Sequence, residues 1–128
     1  MSTSKSSPKT PDPRPALGRV GEEAVAAWYA QRGWREVARN WRGQDGEIDL
    51  VVARPGLVAF VEVKTRSGVG FGRPAEAVTV LKQVRLRRLA SAFLDATPTA
   101  DSAVRFDVAE VLSHRDRSIT IEIIEGAF

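Results

Sequence analysis

The 128-residue chain contains no cysteine and a single histidine, His114. Without cysteine there can be no disulfide and no zinc–thiolate site, and one imidazole rules out a zinc centre built from histidines. Lysine is scarce too: of 19 basic residues only Lys5, Lys9, Lys64 and Lys82 are lysine, and all others are arginine. Long apolar runs are missing. None approaches the roughly 20 residues of a membrane span, and the N-terminus lacks the apolar core of a signal peptide. A soluble, cytoplasmic protein is expected. The formal net charge of +3 permits a polyanionic partner without demanding one.

What is there divides into a tail and one domain. Met1 to about Pro15 is rich in Ser, Thr, Lys and Pro. So little apolar surface cannot offset the entropy of ordering, and residues 1–15 are expected to be disordered. Residues 16–128 are long enough to bury one core. Leu17 to Arg32 reads as a helix with an apolar stripe of Leu17, Val20, Gly21, Ala24, Val25 and Trp28. Gly33 supplies a left-handed stop and Trp34 the apolar residue after it. Arg35 to Arg42 reads as an edge strand, and Ile48 to Ala53 with Val58 to Lys64 as a hairpin around Pro55-Gly56.

Thr65 to Arg73 is a glycine-rich connector. It does not fit a dinucleotide-binding loop, because Arg73 stands where the third glycine is required. It is either a loop beside a site, able to approach a phosphate backbone, or a plain linker. A second helix runs from Ala75 or Thr79 to Ala96, with Leu86, Leu89, Ala90 and Phe93 as its buried stripe. One turn further back that stripe reaches Lys82 and Gln83, which should point along the sheet toward the strand ends. Arg85, Arg87 and Arg88 project from other faces, within reach of phosphates or simply of water. Val104 to Leu112 and Ile119 to Ile124 read as strands joined by a polar turn that holds His114. The order α-β-β-β-α-β-β indicates an α/β domain, a mixed central sheet flanked by helices.

The chemistry concentrates in two short segments, Gly46-Glu47-Ile48-Asp49-Leu50 and Phe60-Val61-Glu62-Val63-Lys64. Strand alternation puts Val61 and Val63 on one face and Phe60, Glu62 and Lys64 on the other. A carboxylate and an ammonium beside a buried Phe are costly unless they are paired or hold an ion. Directly opposed residues of an antiparallel pair share a face, so Asp49 faces Glu62 if Ala53 pairs with Val58, leaving Arg54 to Leu57 as the loop. An acid-x-Lys tripeptide alone arises by chance about once per hundred residues. Its combination with a preceding acidic strand and a Pro-Gly turn is what distinguishes this one.

An acid, a hairpin and an acid-x-Lys tripeptide resemble the signature of the PD-(D/E)xK nucleases. The resemblance implies that Asp49 and Glu62 hold a divalent metal and that Lys64 contacts the attacked phosphate or its water. Mg²⁺ prefers hard oxygen ligands and takes one or two carboxylates, keeping waters and phosphates for the rest. The carbonyl of Val63 is a candidate further ligand. Gly18-x-x-Gly21-Glu22, Asn40-Trp41-Arg42, the two segments above with Thr65-Arg66, and Phe71-Gly72 are similar to the YraN-like bacterial family from Leu17 to the C-terminus.

That family is itself likened to Holliday-junction resolvases. The resemblance implies the restriction-endonuclease-like αβββαβ core, Mg²⁺ or Mn²⁺ as cofactor, DNA (including branched or junction DNA) as substrate, and a homodimer. By the same resemblance Glu22 is a further acid at the metal; its other reading is a helix-start carboxylate favoured by the dipole. Lys82, Gln83, Arg66, Arg73 and Arg85 become substrate contacts. The tyrosine that often follows the helix glutamine of related nucleases by four positions is missing, Arg87 standing there. Asp107 is expected to pair with a surface arginine.

A non-catalytic nucleic-acid-binding module of the same fold is the second reading, and a protein-interaction adaptor the third. Lysine placement favours the enzyme. Both lysines outside the tail fall where a nuclease site needs one, and an ammonium can take up and release a proton as guanidinium cannot. Lys64→Arg should therefore damage hydrolysis by this protein; unimpaired cleavage by that variant would count against the enzyme reading.

Overall fold

The computed structural model describes residues 13–44, 46–67, 78–97 and 102–128. Helix α1 spans Pro13–Ala30, strands β1 to β3 span Arg35–Gly43, Gly46–Arg54 and Leu57–Ser67, helix α2 spans Val80–Ala96, and β4 and β5 span Ala103–Ser113 and Ile119–Ile124. The five strands form one sheet in the order β1-β2-β3-β4-β5, antiparallel except for the parallel pair β3 and β4 that α2 connects. This is the expected α/β architecture with its αβββαβ core.

Local chemistry explains where each helix stops and starts. After α1, Gly33 adopts φ 88°, a conformation that suits glycine. Its N–H donates to the Ala30 carbonyl, and Trp34 N–H donates to the Tyr29 carbonyl, the hydrogen-bond pair of a Schellman cap. Trp34 then packs edge-on against Tyr29 with ring centroids 5.6 Å apart. Helix α2 is opened by Thr79, whose hydroxyl accepts the Lys82 N–H at 3.2 Å, satisfying one of the donors a helix start leaves free.

Each helix covers one face of the sheet. Ile48, Val51, Ala53, Val58, Phe60, Phe106 and Val108 pack with Leu86, Leu89, Ala90 and Phe93, the α2 stripe read from the sequence. Leu50, Val52, Ala59, Val61, Ala109 and Val111 pack on the other face with Val25, Ala26, Tyr29 and Trp34. The α1 stripe is rotated from the expected one. Val20 is 48 % exposed, and Ala26 and Tyr29 take the place assigned to Val20 and Ala24 because Tyr29 has a polar partner to reach inside.

That partner is Asp107. Its side chain is wholly buried, accepting from Tyr29 Oη at 2.6 Å, from Arg105 Nε and Nη2 at 2.8 and 3.0 Å, and from Gly126 N–H at 3.0 Å. The arginine pairing holds as expected, but the acid is interior, and the network ties α1, β4 and the C-terminal segment together. Burial and the neighbouring carboxylate push the Tyr29 hydroxyl's pKa far up, so it remains a donor. Close approach of α1 to β3 also needs Gly21: a methyl there would collide with Thr65 Oγ1.

Several boundaries differ from the sequence reading. Helix α1 begins at Pro13, before Leu17, and ends at Ala30, because prolines suit a first helical turn where their missing N–H costs nothing. Arg54 pairs with Leu57, so the hairpin loop is Pro55-Gly56 alone, with Gly56 at φ 80° as the second central residue of a type II turn demands. Strand β3 runs on through Thr65 to Ser67, where a connector was expected, because β4 offers it a parallel partner as far as Ser113. Tail residues 1–12 and the glycine-rich segment 68–77, with Arg73, lie outside the described residues.

Tyr29→Phe removes one of the donors to a buried carboxylate and should lower stability by about 1–3 kcal/mol. Urea unfolding followed by tryptophan fluorescence measures this; no loss would mean that Arg105 and Gly126 satisfy Asp107 without it.

Candidate active site

Strands β1 and β2 change face together beside the two acids. Ile48 packs on the α2 side and Leu50 on the α1 side, although residues two apart on a regular strand share a face. In β1, Trp41 likewise packs on the α2 side while Arg39 reaches Glu23 on α1 at 2.7 Å. The pairing Arg39↔Leu50 and Trp41↔Ile48 is kept across the change, so both strands turn in register at Asn40 and Asp49. Asn40 has φ 51°, a left-handed backbone that asparagine tolerates better than most residues, and its amide donates to Glu22 Oε1 at 3.1 Å.

The register condition for the acids is met, since Ala53 pairs with Val58. The β2–β3 ladder continues to Leu50↔Val61 and stops. Just beyond, the Val63 N–H donates at 2.8 Å to Asp49 Oδ2. The Asp49 carboxylate thus takes a main-chain donor that a continuing ladder would have used. On the α2 side Glu62, 7 % exposed, accepts two ammonium groups on one oxygen: Lys64 Nζ lies 3.3 Å and Lys82 Nζ 2.9 Å from Glu62 Oε2. Lys82, expected to point along the sheet from the first turn of α2, reaches Glu62 on β3.

Electrostatics follow from this crowding. Burial, then the Glu62 charge, pushes the Asp49 pKa up to about 7; the Val63 N–H opposes the shift, and Glu22 and Glu47 add to it. Burial lowers the Lys64 pKa, and so does Lys82 alongside it, against the pull of Glu62. Burial acts against Lys82 as well, but hydrogen bonds with Lys64 and Glu62 outweigh it and hold that pKa up. Of the two ammonium groups, Lys82 holds its proton more firmly.

A hard divalent cation fits this donor set. Among the described residues, Asp49 Oδ1 and Glu62 Oε1 accept no hydrogen bond. An Asp49 carboxyl that resists ionising beside a second carboxylate is one that a cation, in place of a proton, would stabilise. No cluster of three or more acid or histidine side chains able to hold an ion occurs among the described residues. Two carboxylates would therefore share the ion with waters, a substrate oxygen or the Val63 carbonyl. Glu22, whose charge adds to the Asp49 shift, lines a cavity of about 180 Å³ with Leu17, Gly18, Val63 and Thr65.

The remaining candidates separate. Gln83 Nε2 donates to the Val78 carbonyl at 3.3 Å, serving its own helix start. Arg66 Nε lies 3.2 Å from Glu110 Oε1 on β4. Arg85 and Arg88 are exposed on α2, whereas the Arg87 guanidinium lies over the Phe106 ring, 4.8 Å from its centroid. His114 is an exposed turn residue, its Nε2 2.6 Å from Thr120 Oγ1. A cavity of about 540 Å³ lies at the hairpin-turn end between Gly33, Arg54, Val58 and Phe93, and none of the site acids lines it. Sequence reasoning missed Glu110, 6 % exposed on the same face as Glu62; an acid inside the otherwise apolar run Val108 to Leu112 was the available signal.

Fold and site together define an α/β protein with a two-carboxylate, two-lysine centre where the β2–β3 ladder ends. No helix among the described residues is long and apolar enough to cross a membrane. Residues 21–111 match the uncharacterised protein family UPF0102. The chain is 47 % identical over 111 residues to a UPF0102 protein of Clavibacter michiganensis, covering 87 % of this chain and 94 % of that one. It is 47 % identical over 130 residues to one of Acidothermus cellulolyticus, covering 93 % and 98 %, and 43 % identical over 113 residues to one of Rhodococcus opacus, covering 88 % and 96 %. This protein belongs to the UPF0102 family.

With its pKa raised from 3.8 to about 7, Asp49 binds a proton more tightly folded than unfolded. Stability from this group is therefore present below pH ~4 and lost as pH rises toward ~7. Asp49→Asn in chelator should be more stable than wild type above pH ~7, by up to about 4 kcal/mol, and nearly equal to it near pH ~4. Urea unfolding across that range measures the difference; a variant less stable at high pH would refute the crowded-carboxylate description.

Proposed function

We propose that this protein is a divalent-cation-dependent nuclease that hydrolyses phosphodiester bonds of DNA, branched or junction DNA among them. The observation that carries the reading is the meeting of Asp49, Glu62, Lys64 and Lys82 at one point, where each acid keeps an oxygen without a hydrogen bond among the described residues. Mg²⁺ or Mn²⁺ bound there would supply polarisation of the phosphate and an acidified water. Lys64 meets the negative charge that builds on the phosphate oxygens as water adds and the P–O bond breaks. Lys82, the closer partner of Glu62, keeps that carboxylate ionised and oriented.

Affinity comes from arginine–phosphate contacts and should fall with salt. The exposed Arg85 and Arg88 on α2 belong to this surface; Arg73, expected as a further phosphate contact, lies outside the described residues. Selectivity is for shape more than for base sequence, and a two-fold dimer acting on a branched substrate in the cytoplasm completes the proposal. One observation favours a second reading. Glu62 already has two cationic partners, so a charge-balanced network without an ion would serve a non-catalytic nucleic-acid-binding module.

The test is cleavage of a labelled four-way DNA junction beside linear duplex, single-stranded DNA and RNA, each with Mn²⁺, Mg²⁺ or chelator. Metal-dependent cleavage is expected, reduced about 100-fold or more in Asp49→Ala. Salt-sensitive retention of a substrate without cleavage would favour the binding module. Neither cleavage nor retention would point to a protein-interaction adaptor.

A further inference from the structure

Glu110 is a buried acid that the proposed chemistry does not use. It lies on β4 two residues beyond Val108, on the face that α2 covers, and is 6 % exposed. Its Cα partner across the parallel β3–β4 pair is Lys64, and across the antiparallel β4–β5 pair Glu122. Arg66 holds Glu110 Oε1 at 3.2 Å. Glu110 Oε2 is buried and has no hydrogen-bond partner among the described residues. Burial raises the pKa of this carboxyl, Arg66 and Lys64 lower it, and Glu122 raises it. A buried acceptor left open is expensive unless something fills it in another state.

Lys64 is the side chain placed to fill it. Directly partnered residues of neighbouring strands carry side chains about 5 Å apart on one face, well within the reach of a lysine stem. Its present seat is contested, for Lys82 occupies the same Glu62 oxygen and sits closer, at 2.9 Å against 3.3 Å. Anything that takes up the Glu62 charge leaves two ammonium groups competing for less of it. Lys82 is held from the capped first turn of α2, and Lys64 is the one free to turn along the sheet.

We infer that Glu110 is a second seat for the Lys64 ammonium, occupied when Glu62 is engaged by a cation or replaced by a neutral side chain. The cation-driven part rests on the nuclease reading; the existence of the seat does not. Glu110 is then a positioning residue. It keeps a charged lysine on the face where substrate phosphate would lie, one strand over from Glu62.

With four lysines in the chain, labelling lysine alone with ¹³C and ¹⁵N yields four side-chain signals, and Lys64→Arg identifies the one from Lys64. The full-length protein is compared at one slightly acid pH as wild type, Glu110→Gln, Glu62→Gln and the double variant, with and without Mg²⁺. Glu62→Gln without any ion should move the Lys64 signal to a new position that still exchanges its protons slowly. The double variant should lose that protection, with exchange about tenfold faster and close to that of free lysine.

Wild type with Mg²⁺ should reach the same new position, and Glu110→Gln with Mg²⁺ should not. A Lys64 signal in Glu62→Gln that ignores the presence of Glu110 overturns the inference. If Mg²⁺ leaves wild type unchanged while the ion-free arm behaves as expected, the seat stands and the cation reading fails. Thermal melting checks that each variant is folded. Should Glu62→Gln unfold, Glu62→Met, apolar and of similar size, replaces it in the ion-free arm, and a Lys64 signal there that ignores Glu110 overturns the seat.

Discussion

Glu62 stands beside Phe60 on the face that α2 covers, and a carboxylate there is tolerable only with opposite charge drawn to it. Much of the site answers that constraint. Lys64 comes from the same strand two residues on, and Lys82 from the first turn of α2. The helix start must therefore come within a lysine's reach of β3, with Thr79 capping it and Leu86, Leu89 and Phe93 docked against Ile48, Val51 and Phe60. The ion pairs alone would not hold α2, since exposed parts of such networks contribute little. The apolar stripe supplies adhesion, and the charges fix which turn of the helix lies over which strand.

The other face solves the same problem differently. Asp107 is buried more completely than Glu62 and is surrounded by donors: Tyr29, Arg105 and the Gly126 N–H. Both of its oxygens are occupied, and the residue serves structure. Asp49 and Glu62 each keep an oxygen without a hydrogen bond among the described residues. That contrast separates a saturated buried acid from a pair able to take a ligand, and it depends on partner geometry more than on burial.

Regular alternation made much of this legible. The α2 stripe, the helix stop at Gly33, the Ala53↔Val58 register and the shared face of Phe60, Glu62 and Lys64 follow from periods of 3.6 and 2 with glycine and proline punctuation. The reading failed where alternation breaks. At Asn40 and Asp49 two strands change face together, so Asp49 reaches the Val63 N–H at the end of the ladder. On α1 the choice between Val20 and Tyr29 as the inward residue turned on Asp107, 78 positions later in the chain. Glu110 escaped notice because the alternation of β4 supplies its face but not its neighbours.

The amino-acid order by itself determined which residues could form strands and helices, which were acidic or basic, and that Glu62 and Lys64 share a face, because these are consequences of near-neighbour geometry. Tertiary structure decided the partners. The hairpin brought Asp49 to Val63, and α2 brought Lys82 to the oxygen that Lys64 already held. The parallel pairing of β3 with β4 set Glu110 beside Lys64. Contacts between residues distant in the chain depend on how whole faces pack, and no local period encodes them.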